Sequence, residues 1–329
     1  MANIWKVTLC ILLQVVAIYC LSFCPRTLSE NLRNVVIAGN NVIVGSSSTL
    51  YRLTPDMVEV ESVMLDSPNR LLVANQTSSV EAVLACGSLS CSLSPSNDLS
   101  EIFWEGPILD PGESNVLAAL SLTNEGTLSV TYGTRQSPSR PTTITRGSLL
   151  NSFQSPPYTF SEYAEQREPS TSVMREFLAV FSRENYQYFV VNVNSRVHIT
   201  RLCLMDNGNQ PSPFGSFASH FELELRCANS ESATSATFVH STEPFGVETV
   251  VLTFQVPTSD TFHICTFNLT EINERMDQKF ETCINGTGNV GFQRNGQDPC
   301  PNFQPEQINA MVSPCTVYVT ASELHSDMQ

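Results

Sequence analysis

Lysine is all but missing from this sequence. The 329 residues hold two, Lys6 and Lys279, and with 17 Lys and Arg against 32 Asp and Glu the formal net charge is −15. A surface of that sign argues against nucleic acid and anionic membranes as partners. It suits a basic partner, and equally it suits plain solubility. Long helical periodicity is also scarce. Pro, Ser, Thr and Asn are plentiful instead, a composition that favours many short strands joined by turns.

Catalytic signatures are absent too. There is no Gly-rich phosphate loop, no Gly-x-Ser-x-Gly elbow and no His-Glu-x-x-His helix. The five histidines, His198, His220, His240, His263 and His325, are scattered. His263 lies two residues before Cys265, but the spacing fits no zinc template. Glu222 and Glu224 alternate along one stretch, which reads as the solvated face of a half-buried strand rather than a catalytic pair. The expectation is a protein that is not an enzyme and uses no metal, no cofactor and no small-molecule substrate.

Only the N-terminus carries a long apolar run. Residues 1–22 read as a secretory signal peptide: Lys6 supplies the charge, Val7 to Leu21 the apolar core, and Cys20 and Ser22 the small residues for a cut after Ser22. A signal anchor is the alternative, but the run is shorter than the ~20 residues that span a bilayer. The mature chain is expected in the secretory pathway, extracellular or at the cell surface, soluble or held by a partner.

Of eleven cysteines, Cys10 and Cys20 leave with the signal peptide. Nine remain, and in a secreted chain they imply a disulfide framework. Cys24 sits at the mature N-terminus, either a mobile tail cysteine or one that pairs between chains. The other eight are Cys86, Cys91, Cys203, Cys227, Cys265, Cys283, Cys300 and Cys315. Eight cysteines allow about 105 connectivities, among which sequence alone cannot choose. Three glycosylation sequons, at Asn75, Asn268 and Asn285, each imply surface exposure if used.

Strand signals recur along the chain. Val35 to Ala38 and Val42 to Gly45 flank Gly39-Asn40-Asn41 as a hairpin, because Gly and Asn tolerate the positive φ of a tight turn. Leu50 to Leu53 and Met57 to Leu65 complete a four-stranded antiparallel meander, the unit of a propeller blade. Val80 to Leu84, Ser88 to Leu93 and Ile102 to Trp104 form a second group. Leu117 to Leu122 and Leu128 to Tyr132 form a third. Glu176 to Phe181, Tyr186 to Val193, Val197 to Cys203 and Phe221 to Leu225 form a fourth. Phe238-Val239, Val247 to Val256 and Phe262 to Phe267 begin a fifth. No strict repeat underlies them. Arg135 to Ser172, rich in Ser, Thr and Pro, reads as loop and short strand, and Asn285 to Pro314 as an irregular excursion.

The stretch from Thr261 to Cys283 changes character midway. Phe262, Ile264 and Phe267 lie in a strand-like run. Then Thr270 can cap a helix, Glu271 follows, and Ile272, Met276 and Phe280 fall at i, i+4 and i+8. The pattern Cys265-x-Phe267, Ile272-Asn273-Glu274, Cys283 resembles the sema domain of plexins, semaphorins and the hepatocyte growth factor receptor. Further stretches agree in order: Leu84-Ala85-Cys86-Gly87-Ser88-Leu89; Phe181-Ser182-Arg183 with Tyr188-Phe189-Val190; Arg201-Leu202-Cys203; and Phe221-Glu222-Leu223 leading to Cys227. The resemblance covers roughly residues 30 to 320.

The resemblance implies an all-β, sema-type β-propeller, seven-bladed in the family, of which this chain supplies about the first four to five blades, with a short helix after the Cys265 strand. Carried over position by position, it implies the disulfides Cys86–Cys91, Cys227–Cys265, Cys283–Cys300 and Cys203–Cys315. It divides the chain into a signal peptide (1–22), a partial sema domain (30–320) and a C-terminal tail (321–329). The implied function is extracellular ligand recognition in a plexin-like cell-surface receptor, a fragment of a longer protein. The implied partner is a semaphorin or another sema domain, a homodimer included. The alternative is a secreted regulator or decoy without signalling of its own.

Overall fold

The structure, a computed structural model, describes residues 32–65, 68–74, 81–87, 90–106, 108, 116–122, 128–133, 142–149, 160–167, 175–204, 206, 219–227, 232–240, 247–255, 262–285 and 287. The expected signal peptide, Cys24, Asn75, Cys300, Cys315 and the tail lie outside these.

Antiparallel sheets follow one another along the chain. Blade 1 is β1 (Asn34–Ala38), β2 (Asn41–Gly45), β3 (Thr49–Leu53) and β4 (Glu59–Met64). Blade 2 is β5 (Leu71–Ala74), β6 (Ala82–Cys86), β7 (Cys91–Pro95) and β8 (Trp104–Gly106). Blade 3 is β9 (Leu117–Leu122), β10 (Leu128–Gly133), β11 (Thr142–Leu149) and β12 (Phe160–Arg167). Blade 4 is β13 (Arg175–Arg183), β14 (Tyr186–Val193), β15 (Arg196–Cys203) and β16 (Phe221–Leu225). Blade 5 has three strands, β17 (Ser235–His240), β18 (Glu248–Gln255) and β19 (Phe262–Asn268), and runs straight into the helix α1 (Leu269–Ile284). The first strand of each blade touches the first strand of the next: β1 against β5, β5 against β9, β9 against β13, and β13 against β17. Among the described residues the protein is an all-β propeller of five blades with one short helix.

Local chemistry accounts for the turns. β1 and β2 are joined by Gly39-Asn40, with Gly39 at φ +56°, the region glycine enters without cost. β14 and β15 pair Val193 with Arg196 around Asn194-Ser195, both at positive φ, the conformation of a tight hairpin turn whose twist matches the strands.

The core lies between blades. β6 and β14 are each sandwiched, so alternate residues serve different seams. Val83 and Ala85 pack with Ile43 and Leu50 of blade 1, whereas Leu84 and Cys86 pack with Ala118, Val130 and Tyr132 of blade 3. On β14, Phe189 and Val191 pack with Ile144 of blade 3, and Tyr188 and Val190 with Val250 and Leu252 of blade 5. A strand buried on both faces loses its polar–apolar alternation, which is why both read as nearly unbroken apolar runs. Blades 3 and 4 approach so closely at Gly133 that a Cβ there would lie 2.5 Å from the Phe177 ring.

Two expectations need correction. The Ser/Thr/Pro-rich stretch from Arg135 to Ser172 holds two eight-residue strands, β11 and β12. Thr142, Thr143, Ile144 and Thr145 are β-branched, and ladder pairing to β10 and β12 holds a strand with few apolar residues. The helix is capped by Asn268 rather than Thr270: the Asn268 side chain accepts from the Thr270 backbone N–H at 2.8 Å, and Cys283 lies in the last turn. Asn is a stronger N-cap than Thr, so the cap falls two residues earlier. The stripe Ile272, Met276 and Phe280 does pack on the blade 4–blade 5 core.

Both ends of the blade series present apolar side chains to solvent. On blade 1, Val35, Ile37, Val60 and Met64 are exposed, and on blade 5, Phe262 and Ile264 are 57% and 67% exposed. Among the described residues, β17 and β1 share no contact like those between successive blades.

Candidate functional site

The chemistry of the described residues concentrates where blade 4 meets α1 and blade 5. Each residue of the Arg201-Leu202-Cys203 triplet has its own task. Arg201 reaches the helix, donating to Asn273 Oδ1 at 3.1 Å and pairing with Asp277 at 2.6 Å, while its guanidinium lies 4.5 Å from the Tyr186 ring centroid. Leu202 packs with Phe177 and Phe189 in the blade 3–blade 4 seam. The Cys203 N–H donates to Ser219 Oγ, and Ser219 donates to the buried Asp206 carboxylate. Tyr188 completes the junction by donating to Asn273 Oδ1 at 2.8 Å. Burial pushes the Tyr188 phenol up, against the opposing pull of Arg201 and Asn273, so it stays a neutral donor. Asn273 thus accepts from two strands at once and fixes the helix on blade 4.

Covalent links run through the same region. Cys227, just past β16, is bonded to Cys265 on β19, with Cα atoms 6.1 Å apart. That bond ties the outer strand of blade 4 to the outer strand of blade 5. Cys86 and Cys91 face each other across β6 and β7 and are bonded. Cys203 and Cys283 are also disulfide-bonded, to partners outside the described residues. Asn268 and Asn285 stand at the two caps of α1.

A second polar cluster was not legible in the sequence. Glu222 was expected on a solvated strand face, but its side chain is 2% exposed. Its carboxylate takes Arg175 at 2.9 Å and His198 at 2.6 Å, and Lys279 of α1 donates to its backbone carbonyl. Burial alone would raise the Glu222 carboxyl; Arg175 and His198 outweigh it and bring it down to about 2. The face is buried because Arg175 of β13 and His198 of β15 lie beside Glu222 in the same sheet and α1 packs against β16, which strand alternation cannot reveal. Glu224, half-buried beside Arg226 and Arg196, is held below the usual carboxylate range, chiefly by its hydrogen bond from Arg226.

Arg146 is a further feature missed. It is fully buried on β11 and crosses the seam to blade 4. Nη1 donates to the carbonyls of Cys203, Leu204 and Asp206, Nη2 to Gln187 Oε1, and Nε to Thr131 Oγ1. Its partners on blade 4 are some forty to sixty positions away in sequence, as Gln187 (separation 41) and Asp206 (separation 60) mark out, so no local pattern could signal them.

This is an architecture for holding a rigid scaffold, and its class is a five-bladed β-propeller with a disulfide-tied fifth blade and a docked helix. Among the described residues no three His, Cys, Asp or Glu side chains are grouped to hold a metal ion. No protein-family model matches the chain, and no curated protein sequence matches it significantly. Solved structures do. The chain resembles two structures of the Plexin A4 extracellular region, each at TM-score 0.64 and 15% identity, over 84% of this chain and 38% or 30% of theirs. It also resembles Drosophila Plexin A in complex with Semaphorin 1b, at TM-score 0.52 and 14% identity, over 85% of this chain and 62% of that one. The chain therefore spans less than two thirds of each. At such identities the likeness is one of fold: a propeller of the kind found in plexin extracellular regions.

Proposed function

We propose that this chain is an extracellular ligand-recognition module of a plexin-like cell-surface receptor, part of a longer protein, with a semaphorin or another sema domain as its partner. The observation that carries the reading is the blade 4–blade 5 junction. There a strand cysteine bonded back to blade 4 leads directly into a helix docked by Arg201, in a propeller that superposes on plexin extracellular regions. Rigid blades with variable rims are suited to protein recognition. Disulfides fit an oxidising compartment. Within this reading residues 1–22 are removed as a signal peptide, Cys203 bonds Cys315 and Cys283 bonds Cys300, and the module itself catalyses nothing. The exposed faces of blades 1 and 5 support a larger ring, because apolar sheet faces of this kind are buried at every seam between successive blades.

The test is binding. The full chain, secreted from animal cells and immobilised, is challenged with a panel of semaphorin ectodomains. Saturable binding by at least one member is expected. A folded, disulfide-bonded product that binds none of them would overturn the semaphorin assignment.

A further inference from the structure

Both caps of α1 are sequon asparagines. Asn268-Leu269-Thr270 begins at the N-cap and Asn285-Gly286-Thr287 at the C-cap, and Asn268, Thr270, Asn285 and Thr287 are all exposed. At the N-cap the asparagine is already at work, yet only half of it. Oδ1 accepts from the Thr270 N–H at 2.8 Å; Nδ2 has no part in the cap.

We propose that Asn268 and Asn285 both carry N-linked glycans, which fence the outer face of α1 so that a protein partner engages the propeller from another side. This rests on the reading that the chain enters the secretory pathway. The chemistry is compatible with the fold at each step. Nδ2 attacks the anomeric carbon of a polyprenyl-diphosphate-linked oligosaccharide. The N–C bond forms, the C–O bond to the diphosphate breaks, the lipid diphosphate leaves, and Nδ2 gives up one proton. The glycosylated side chain is still an amide and keeps Oδ1, so the cap of α1 survives modification.

The helix has one face to give away. Ile272, Met276 and Cys283 are buried beneath it, while Glu271, Glu274, Gln278 and Glu281 are exposed on its outside. Sixteen residues make a helix about 24 Å long, so two glycans anchored at its ends overhang the whole outer face. That face is acidic and apolar contacts are lacking, which also makes it a poor seat for a protein partner.

The experiment uses the full chain made in mammalian cells. N-terminal sequencing establishes signal cleavage, and glycopeptide mapping then reads each asparagine. Both are expected to be modified. Asn268→Ser keeps a capping oxygen and Thr270→Ala keeps the capped N–H, so each should lose one glycan while leaving the thermal midpoint close to that of the parent; Asn285→Gln should lose the other. An antibody mapped to α1, raised against the Asn268→Ser/Asn285→Gln double variant, should bind that variant and not the parent. A secreted, signal-cleaved chain with either asparagine bare overturns the modification. Equal antibody binding to both forms overturns the fence. A cytosolic product with Met1 intact overturns this proposal together with the reading on which it rests, and is distinguishable from the other two by its N-terminus.

Discussion

Replacing Arg146 by Met should be among the most damaging single changes in the propeller. Methionine is near enough in length to fill the space, so the volume lost is small. What is lost is the guanidinium that supplies the carbonyls of Cys203, Leu204 and Asp206 and the side chains of Gln187 and Thr131. The Cys203 and Asp206 carbonyls and the Gln187 amide are buried. Each buried acceptor left unpaired costs about 1–3 kcal/mol, and partial relaxation, with water reaching the less buried Leu204 carbonyl, reduces the sum. With three buried acceptors left unpaired and partial relaxation, a net loss of about 3–5 kcal/mol is expected. In a domain of this size that is a fall in the thermal midpoint of roughly 6–12 °C. Arg146→Lys should recover little, because an ammonium cannot fork toward two groups of acceptors at once. The assay is thermal and urea unfolding of the secreted protein, with secretion yield beside it. An Arg146→Met protein whose stability falls by less than about 1 kcal/mol would refute the idea that this side chain clamps blade 3 to blade 4.

Three other outcomes follow from particular residues. The Cys227–Cys265 bond closes a loop with a sequence separation of 38, for which chain entropy gives about 4 kcal/mol, and Cys86–Cys91 closes one of 5, worth only about 2 kcal/mol; Cys227→Ser should therefore depress secretion far more than Cys91→Ser, and non-reducing peptide mapping that finds Cys203 linked to Cys227 would overturn the pairing. Glu222 is depressed from 4.5 to about 2, so its contribution is complete above pH 4.5 and is lost as pH falls toward about 2; at about 1.4 kcal/mol per unit this amounts to roughly 3 kcal/mol, and Glu222→Gln should flatten the stability–pH curve in that window, whereas an unchanged curve would show that Arg175 and His198 do not hold the charge. Ser195 sits at φ +69°, where a β-branched side chain is strained by about 1–2 kcal/mol, so Ser195→Gly should be at least as stable as the parent and Ser195→Val clearly less, an order that urea midpoints will check.

The architecture was largely written in local pattern. The hairpin at Gly39-Asn40, the strands of blades 1 and 4 and the Ile272–Met276–Phe280 stripe follow from turn chemistry and periodicity, which act over a few residues and so survive in the sequence. The order of motifs around Cys86, Arg201 and Cys265 pointed to a propeller of the kind found in plexin extracellular regions. Composition misled at β11 and β12, because a strand held by ladder hydrogen bonds to its neighbours needs little apolar character of its own.

Tertiary structure decided what distance in sequence conceals. Whether Glu222 faces water or a buried arginine depends on which side chains of β13 and β15 lie beside β16 and on the helix packed against it, and alternation along the strand is the same in both cases. Arg146 reads as one more polar residue until blade 4 folds against it and presents three carbonyls. Asn268 looked like a sequon and Thr270 like a cap; only the backbone conformation at the end of β19 makes Asn268 the cap. The sequence by itself determined most of the strands and the helix, since those rest on near neighbours, whereas the meeting of Cys227 with Cys265, 38 positions apart, belongs to the folded chain. The blade seams, the buried charges and the exposed faces of blades 1 and 5 were settled by packing, because burial is a property of the assembled chain and not of any segment of it.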